Sequence, residues 1–98
     1  MPGSKAKYSI EYHPKVAEDD IPKLDEKIKN IIERKIIKLI EEPHFGTALR
    51  GRLIGCYRLK ISKYRIVYKV YDEKLIIFVI AIGKRDNLFV YKTAEKRI

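Results

Sequence analysis

Between Tyr57 and Tyr91 the chain sets Arg58, Lys60, Arg65, Lys69, Lys84 and Arg85 among tyrosines, and Lys92 follows directly. These residue types can handle a phosphodiester. Arginine offers a rigid fork of charged donors matched to phosphate oxygens, and lysine adds a mobile point charge. A tyrosine can stack on a base, or exchange a proton through its hydroxyl. Arg58 and Lys60 alternate with Tyr57, Leu59 and Ile61, and Arg65 and Lys69 alternate with Ile66, Tyr68 and Val70. Period-two spacing puts the cations of both segments on one face and the apolar set on the other. With a tight turn at Ser62-Lys63, Lys60 faces Arg65, Ile61 faces Tyr64, and Arg58 faces Val67 with Arg65 and Lys69 as diagonal neighbours. Like charges opposed across a ladder cost about 0.2–1 kcal/mol, so stability alone does not select that pairing. An anion between them would offset the cost. The bland alternative is that long cationic side chains splay into water, but an ordinary solvated face mixes signs, and no carboxylate stands among these four.

Other chemistries find less support. His13 and His44 both flank prolines, at a strand end and in a loop, and nothing in the pattern brings them together as an acid–base pair. There is one cysteine, Cys56, so no intramolecular disulfide and no cysteine-rich zinc site can form, which points to a reducing compartment. No His, Asp, Glu or Cys cluster has ligand spacing, and neither a metal nor a cofactor is expected. The glycines of LRGRLIG lack the spacing and the following helix of a phosphate-cradling loop.

The elements that must hold these residues can be traced along the chain. Residues 1–7 are small and basic, a loose end. Tyr8 to Tyr12 alternates as a half-buried strand, stopped by His13-Pro14. A short helical piece over PKVAEDD precedes Pro22, which opens an amphipathic helix of about five turns. Leu24, Ile28, Ile31, Ile32, Lys35, Ile36, Leu39 and Ile40 follow steps of three and four as one largely apolar stripe, and the helix ends near Glu42 before Pro43. His44 to Ala48 reads as loop, and Leu49 to Gly55 as a connection. Three strands follow: Tyr57–Ile61, Tyr64–Tyr71, and the continuous apolar run Leu75–Ile82, with Asp72-Glu73-Lys74 as the last turn. The segment from Asp86 onward is weakly patterned and can finish as a short helix. This order predicts one α+β domain over residues 1–98, a mainly antiparallel sheet with the N-terminal helices packed on one face.

The net charge of +9 is unevenly spread. Residues 1–42 hold nine basic and nine acidic side chains, and residues 43–98 hold thirteen and four. The excess therefore lies on the sheet half, and a polyanion such as nucleic acid is the expected partner. No apolar run approaches the ~20 residues that span a bilayer, and the start lacks a secretory core, so a cytoplasmic protein with no membrane partner is expected.

From Leu49 to Ile98 the segments LRG, CYRLKIS, YRIVYKVYDEKLIIFVIAIGKRDNLFVY and the closing KRI strongly resemble the RelE toxins of toxin–antitoxin pairs. The likeness covers about half the chain. It implies a microbial-ribonuclease-like β-α(α)-β-β-β fold. It also implies cleavage of messenger RNA in the ribosomal A site by attack of the RNA's own 2′-hydroxyl, without metal. Carried over residue by residue, the catalytic set is Arg58, Lys60, Arg65, Arg85 and Tyr91, with Arg50, Lys69, Lys84 and Lys92 as auxiliary RNA contacts. Arg65 would bind the phosphate. Arg85 would stabilise the leaving oxygen, with proton donation as the alternative, since a guanidinium stays protonated at accessible pH. A tyrosine ionises near pH 10 in water, so its use as the base depends on surrounding cations. Two departures stand out. Arg58 occupies a position where the best-known members carry lysine, which keeps the charge but removes a titratable ammonium. The turn before Tyr64 is about two residues shorter, an even change that preserves which side chains face outward. The resemblance further implies a RelB-like antitoxin, the ribosome with its mRNA, and operator DNA reached only through the antitoxin. A ParE-like inhibitor of gyrase and a simple basic nucleic-acid-binding module are the alternatives.

Overall fold

The computed structural model describes residues 7–98, so the expectation for residues 1–7 lies, Lys7 apart, outside the described residues. Strand β1 spans Ser9–Tyr12, and a π-helical turn over Val16–Asp20 runs into a 3-10 turn over Ile21–Lys23. Helix α1 spans Glu26–Lys38, and β2 is the two-residue strand Thr47–Ala48. After a 3-10 turn at Gly51–Leu53 come β3 (Cys56–Ile61), β4 (Tyr64–Tyr71) and β5 (Ile76–Lys84). A 3-10 turn at Asp86–Leu88 then leads into α2 (Phe89–Arg97). The five strands form one sheet in the order β1-β5-β4-β3-β2, with β1 parallel to β5 and the other pairs antiparallel.

Local chemistry accounts for the boundaries. The long helix does not begin at Pro22, as the sequence suggested. Pro22 lies in the 3-10 turn, Leu24 is extended at φ −89°, ψ 139°, and α1 starts afresh at Asp25. There the Asp25 carboxylate accepts the Ile28 N–H at 2.9 Å, satisfying one of the free donors of the first turn. Lys35 and Lys38 occupy the last turn, where cations meet the negative end of the dipole. The expected five turns are thus divided between a 3-10 piece and a helix of 13 residues. Thr47–Ala48, read as loop, pairs with β3, and two residues are too few to show a period.

Two cores lie on opposite faces of the sheet. Beneath α1, Ile32, Ile36 and Leu39 pack with Leu59, Ile61, Ile66, Tyr68, Ile77, Val79 and Ile82. On the other face, Val90 and Ala94 of α2 pack with Cys56, Val67, Ile80 and Ala81. Ile80 and Ala81 are consecutive yet share a face, because the pairing with β4 slips by one residue between Val67 and Tyr68. That bulge inserts one residue into β5 and leaves its backbone irregular there. Glycine allows two close approaches. A Cβ on Gly83 would lie 3.2 Å from Val90 Cβ, so α2 sits directly on β5. A Cβ on Gly46 would lie 2.6 Å from the Arg58 carbonyl and 2.8 Å from the Tyr68 hydroxyl. The Gly46 N–H donates to that buried hydroxyl at 2.9 Å, pinning the loop before β2 against the sheet.

Candidate active site

Ladder register decides which side chains can act together. Lys60 faces Arg65, which faces Gly83, and one step along Arg58 faces Val67, which faces Ala81. Cys56, Val67, Ala81 and Gly83 all belong to the α2 face, and direct ladder partners share a face, so Arg58, Lys60, Arg65 and Lys69 lie there too. The turn at Ser62-Lys63 and the pairings read from the sequence are those found. Neither β3 nor β4 carries a carboxylate.

The cations differ in how they are held. Lys60 is exposed. Arg65 is half-buried, and its Nη1 donates to the Tyr64 carbonyl at 2.8 Å and the Ser62 carbonyl at 3.2 Å, so the guanidinium is anchored over the turn. Ser62 reaches that turn in the left-handed region, φ 54°. Arg58 is half-buried, and its Nε is buried with no hydrogen-bond partner among the described residues. An unpaired buried donor on a charged group is costly, so the Arg58 side chain is held there against stability. Among the described residues no hydrogen bond or ion pair links Arg58, Lys60, Arg65, Arg85 and Tyr91 to one another.

Tyr91 reaches the same face from α2, half-buried at the margin of the second core. Arg85 is exposed just past β5, and its backbone N–H donates to the Lys63 carbonyl at 2.8 Å, which ties it to the turn that anchors Arg65. Lys69 holds its Nζ 5.2 Å from the Tyr71 ring centre, Lys92 is exposed on α2, and Arg50 is exposed ahead of the 3-10 turn at Gly51–Leu53. Lys84 departs from expectation. It pairs with Tyr64, whose side chain packs in the α1 core, so Lys84 belongs to the face opposite the cation cluster. Gly83 is the last residue of β5 on the α2 side, and one further step reverses direction.

The tyrosines divide as their periodicity requires. Tyr68 is fully buried and Tyr57 stacks on it at 5.5 Å, both in the α1 core. Burial raises the Tyr68 hydroxyl above its ordinary pKa, partly offset by the Gly46 N–H. Burial likewise raises the Cys56 thiol, and Lys69 across the ladder acts in the opposite sense. The histidines stay apart from each other in their contacts. His13 packs against Phe78, whereas His44 lies 3.2 Å from Asp72 and against Tyr57. Asp72 also accepts the Tyr8 hydroxyl at 2.6 Å, which holds its carboxyl below the usual range. Among the described residues no group of three or more His, Cys, Asp or Glu gathers as metal ligands, and no helix is long and apolar enough to cross a membrane.

Sequence reasoning missed one polar group behind the site. Arg97 forms a two-pronged ion pair with Asp20, at 2.7 and 3.1 Å, with both side chains nearly buried. The available signal was an arginine on the apolar stripe Val90, Ala94, Arg97, where steps of four and three put it toward the sheet.

The model of the ParE toxin of the type II toxin–antitoxin system parDE matches residues 9–89. The mRNA interferase toxin RelE of Escherichia coli is 40% identical over 79 residues, an alignment covering 78% of this chain and 82% of that protein. A solved structure of an arginine-to-alanine double mutant of the E. coli toxin RelE in the free state superposes with a TM-score of 0.80 at 32% identity, covering 95% of this chain and 99% of that one. The crystal structure of the intact E. coli RelBE toxin–antitoxin complex matches at a TM-score of 0.70 and 29% identity, over 84% of this chain and 100% of the matched chain. The family match ends at Phe89, so Tyr91 lies two residues outside it.

Proposed function

This chain belongs to the RelE/ParE family of toxins from type II toxin–antitoxin systems, and from that premise we propose that it is an endoribonuclease that cuts messenger RNA on the ribosome. The observation that carries the reading is the sheet face on which Arg58 stands beside Lys60 and an anchored Arg65, with no carboxylate on β3 or β4 and with Tyr91 entering from α2. Such a face has the donors to stabilise a phosphate that gains negative charge, and donors fixed in advance need no rearrangement as that charge develops. The relatives' description as mRNA interferases supports the same class of substrate.

In the proposed reaction the scissile phosphate lies against Arg58, Lys60 and Arg65. Tyr91, entering the step as its phenolate, accepts the 2′-hydroxyl proton as the 2′-oxygen bonds to phosphorus. The bond to the 5′-oxygen breaks, and that oxygen, stabilised by Arg85, takes up a proton from water. The products are a 2′,3′-cyclic phosphate and a 5′-hydroxyl. Lys69, Lys92 and Arg50 add charge for neighbouring phosphates, whereas Lys84 on the other face contributes only to the long-range field. The ribosomal A site with its mRNA is the proposed setting, and a cognate antitoxin the proposed neutralising partner, through which any contact with operator DNA would run. The RelBE complex among the structural matches supports that partner.

Induced expression of the wild-type chain should arrest growth, and Arg85→Ala with Tyr91→Phe should abolish the arrest while leaving the circular dichroism spectrum unchanged. Undiminished arrest by the folded double variant would show that the assigned site is wrong. The ParE description of the matching family favours a second reading, inhibition of DNA gyrase. A supercoiling assay separates the two, because the ribonuclease reading requires gyrase to remain fully active.

A further inference from the structure

Beyond the end of β1, no strand among the described residues neighbours the edge of β5. The last ladder partners there are Tyr12 and Val79, and the His13 N–H donates to the Val79 carbonyl at 2.9 Å. The next two groups on that edge flank the bulge, and side chains take them. Asp20 Oδ2 accepts the Ile82 N–H at 2.9 Å, and Arg97 Nη1 donates to the Ile80 carbonyl at 2.9 Å. The same carboxylate and guanidinium bridge each other, so an ion pair stands in for the missing strand. It joins the π-helical turn, the bulge and the last turn of α2.

Stability alone is a poor reason for such a pair, since buried ion pairs are often no better than apolar packing of the same volume. What the pair does fix is the placement of a helix. α2 is held at its first turn by Val90 against Gly83, and at its last turn by Arg97 against β5 and Asp20. Tyr91 stands between those two points. We propose that Asp20 and Arg97 are positioning residues for Tyr91, fixing the angle of α2 over the sheet so that the Tyr91 hydroxyl is presented at the edge of the Arg58, Lys60, Arg65 face. The activity arm of this inference rests on the ribonuclease reading above, and the structural arm does not.

The test uses the full chain with Asp20→Asn and Arg97→Gln combined. These amides can still accept from Ile82 and donate to Ile80, but they carry no charge and cannot bridge as a fork. All tyrosines are replaced by 3-fluorotyrosine, and the Tyr91 fluorine signal is identified by its loss in Tyr91→Phe. The expected result is a Tyr91 signal that shifts or broadens in the double variant while that of buried Tyr68 stays put. RNA cleavage should fall about tenfold or more in kcat with little change in KM, because the cations of β3 and β4 are untouched. On a Tyr91→Phe background the same double substitution should cost almost nothing further, because both changes act through one hydroxyl. Should the amide pair fail to fold, Arg97→Lys keeps the charge without the fork and is expected to give the same fluorine shift. An unmoved Tyr91 signal, or a loss that simply adds to that of Tyr91→Phe, overturns the inference. A moved signal in a protein whose wild type cuts no RNA upholds the positioning and removes the ribonuclease reading.

Discussion

Replacing Lys60 by glutamine is expected to stabilise the fold while weakening the reaction. Lys60 and Arg65 are direct ladder partners, with Cα atoms about 4.5–5.5 Å apart in such pairs. Arg65 is not free to swing away, because its Nη1 is held by the Tyr64 and Ser62 carbonyls. Opposed like charges cost about 0.2–1 kcal/mol, and glutamine removes one of them from an exposed position with little loss of packing. With a urea slope of about 2 kcal/mol per molar for a chain of this size, the unfolding midpoint should rise by about 0.1–0.5 M at low salt. In about 1 M salt the screening length falls to about 3 Å and the gain should vanish. Arg65→Gln relieves the same repulsion but gives up both carbonyl contacts, so it should show no such gain. Cleavage by Lys60→Gln should drop by about 10²–10³, the usual consequence of losing one fixed donor to a charged transition state. A lower midpoint for Lys60→Gln, or a gain that persists at high salt, would refute the idea that these cations are set against stability.

Three further outcomes follow from the packing and the titrating groups. Gly46→Ala should destabilise by about 2–4 kcal/mol, because its Cβ meets the Arg58 carbonyl at 2.6 Å and the Tyr68 hydroxyl at 2.8 Å. Gly51→Ala, at φ 64° with open space around it, should cost only about 1–2 kcal/mol, and urea titrations that reverse this ranking would contradict the geometry. The buried Cys56 thiol should react slowly with an aromatic disulfide at pH 8 in the folded protein and rapidly once unfolded, and fast native labelling would contradict its burial. The Asp72 carboxyl is held low first by the Tyr8 hydroxyl, with smaller help from His44. Its contribution to stability should therefore be full above the unfolded carboxylate pKa of about 3.9 and fade as pH falls through the lower folded value. Tyr8→Phe should remove most of that pH dependence, as read by midpoints between pH 2 and 6.

The parts of the fold that alternate in sequence were legible, and the parts set by tertiary contact were not. Residues 57–71 alternate with period two except at Val67, so the turn at Ser62-Lys63, the Lys60–Arg65 pairing and the inward Tyr57 and Tyr68 could be read directly. β5 is apolar on both faces, and a run without alternation cannot reveal a bulge, so the same-face placement of Ile80 and Ala81 was hidden. Pro22 signals a helical start but does not say which kind of helix, and the Asp25 cap decided that α1 begins three residues later than the 3-10 turn ends. Lys84 looked like one more cation on the site because charge was counted along the chain, and only its partner Tyr64 shows that it faces away. Asp20 and Arg97 are 77 positions apart, and no local pattern joins residues that meet only because β1 ends before β5 does.

Mapping messenger RNA 5′ ends in a translating extract, with and without the purified protein, tests the ribonuclease reading most directly. The expected result is a set of new ends within translated regions, each bearing a 5′-hydroxyl, that appear with the wild-type chain and are absent with Arg85→Ala combined with Tyr91→Phe. An unchanged set of ends with active, folded wild-type protein would contradict it.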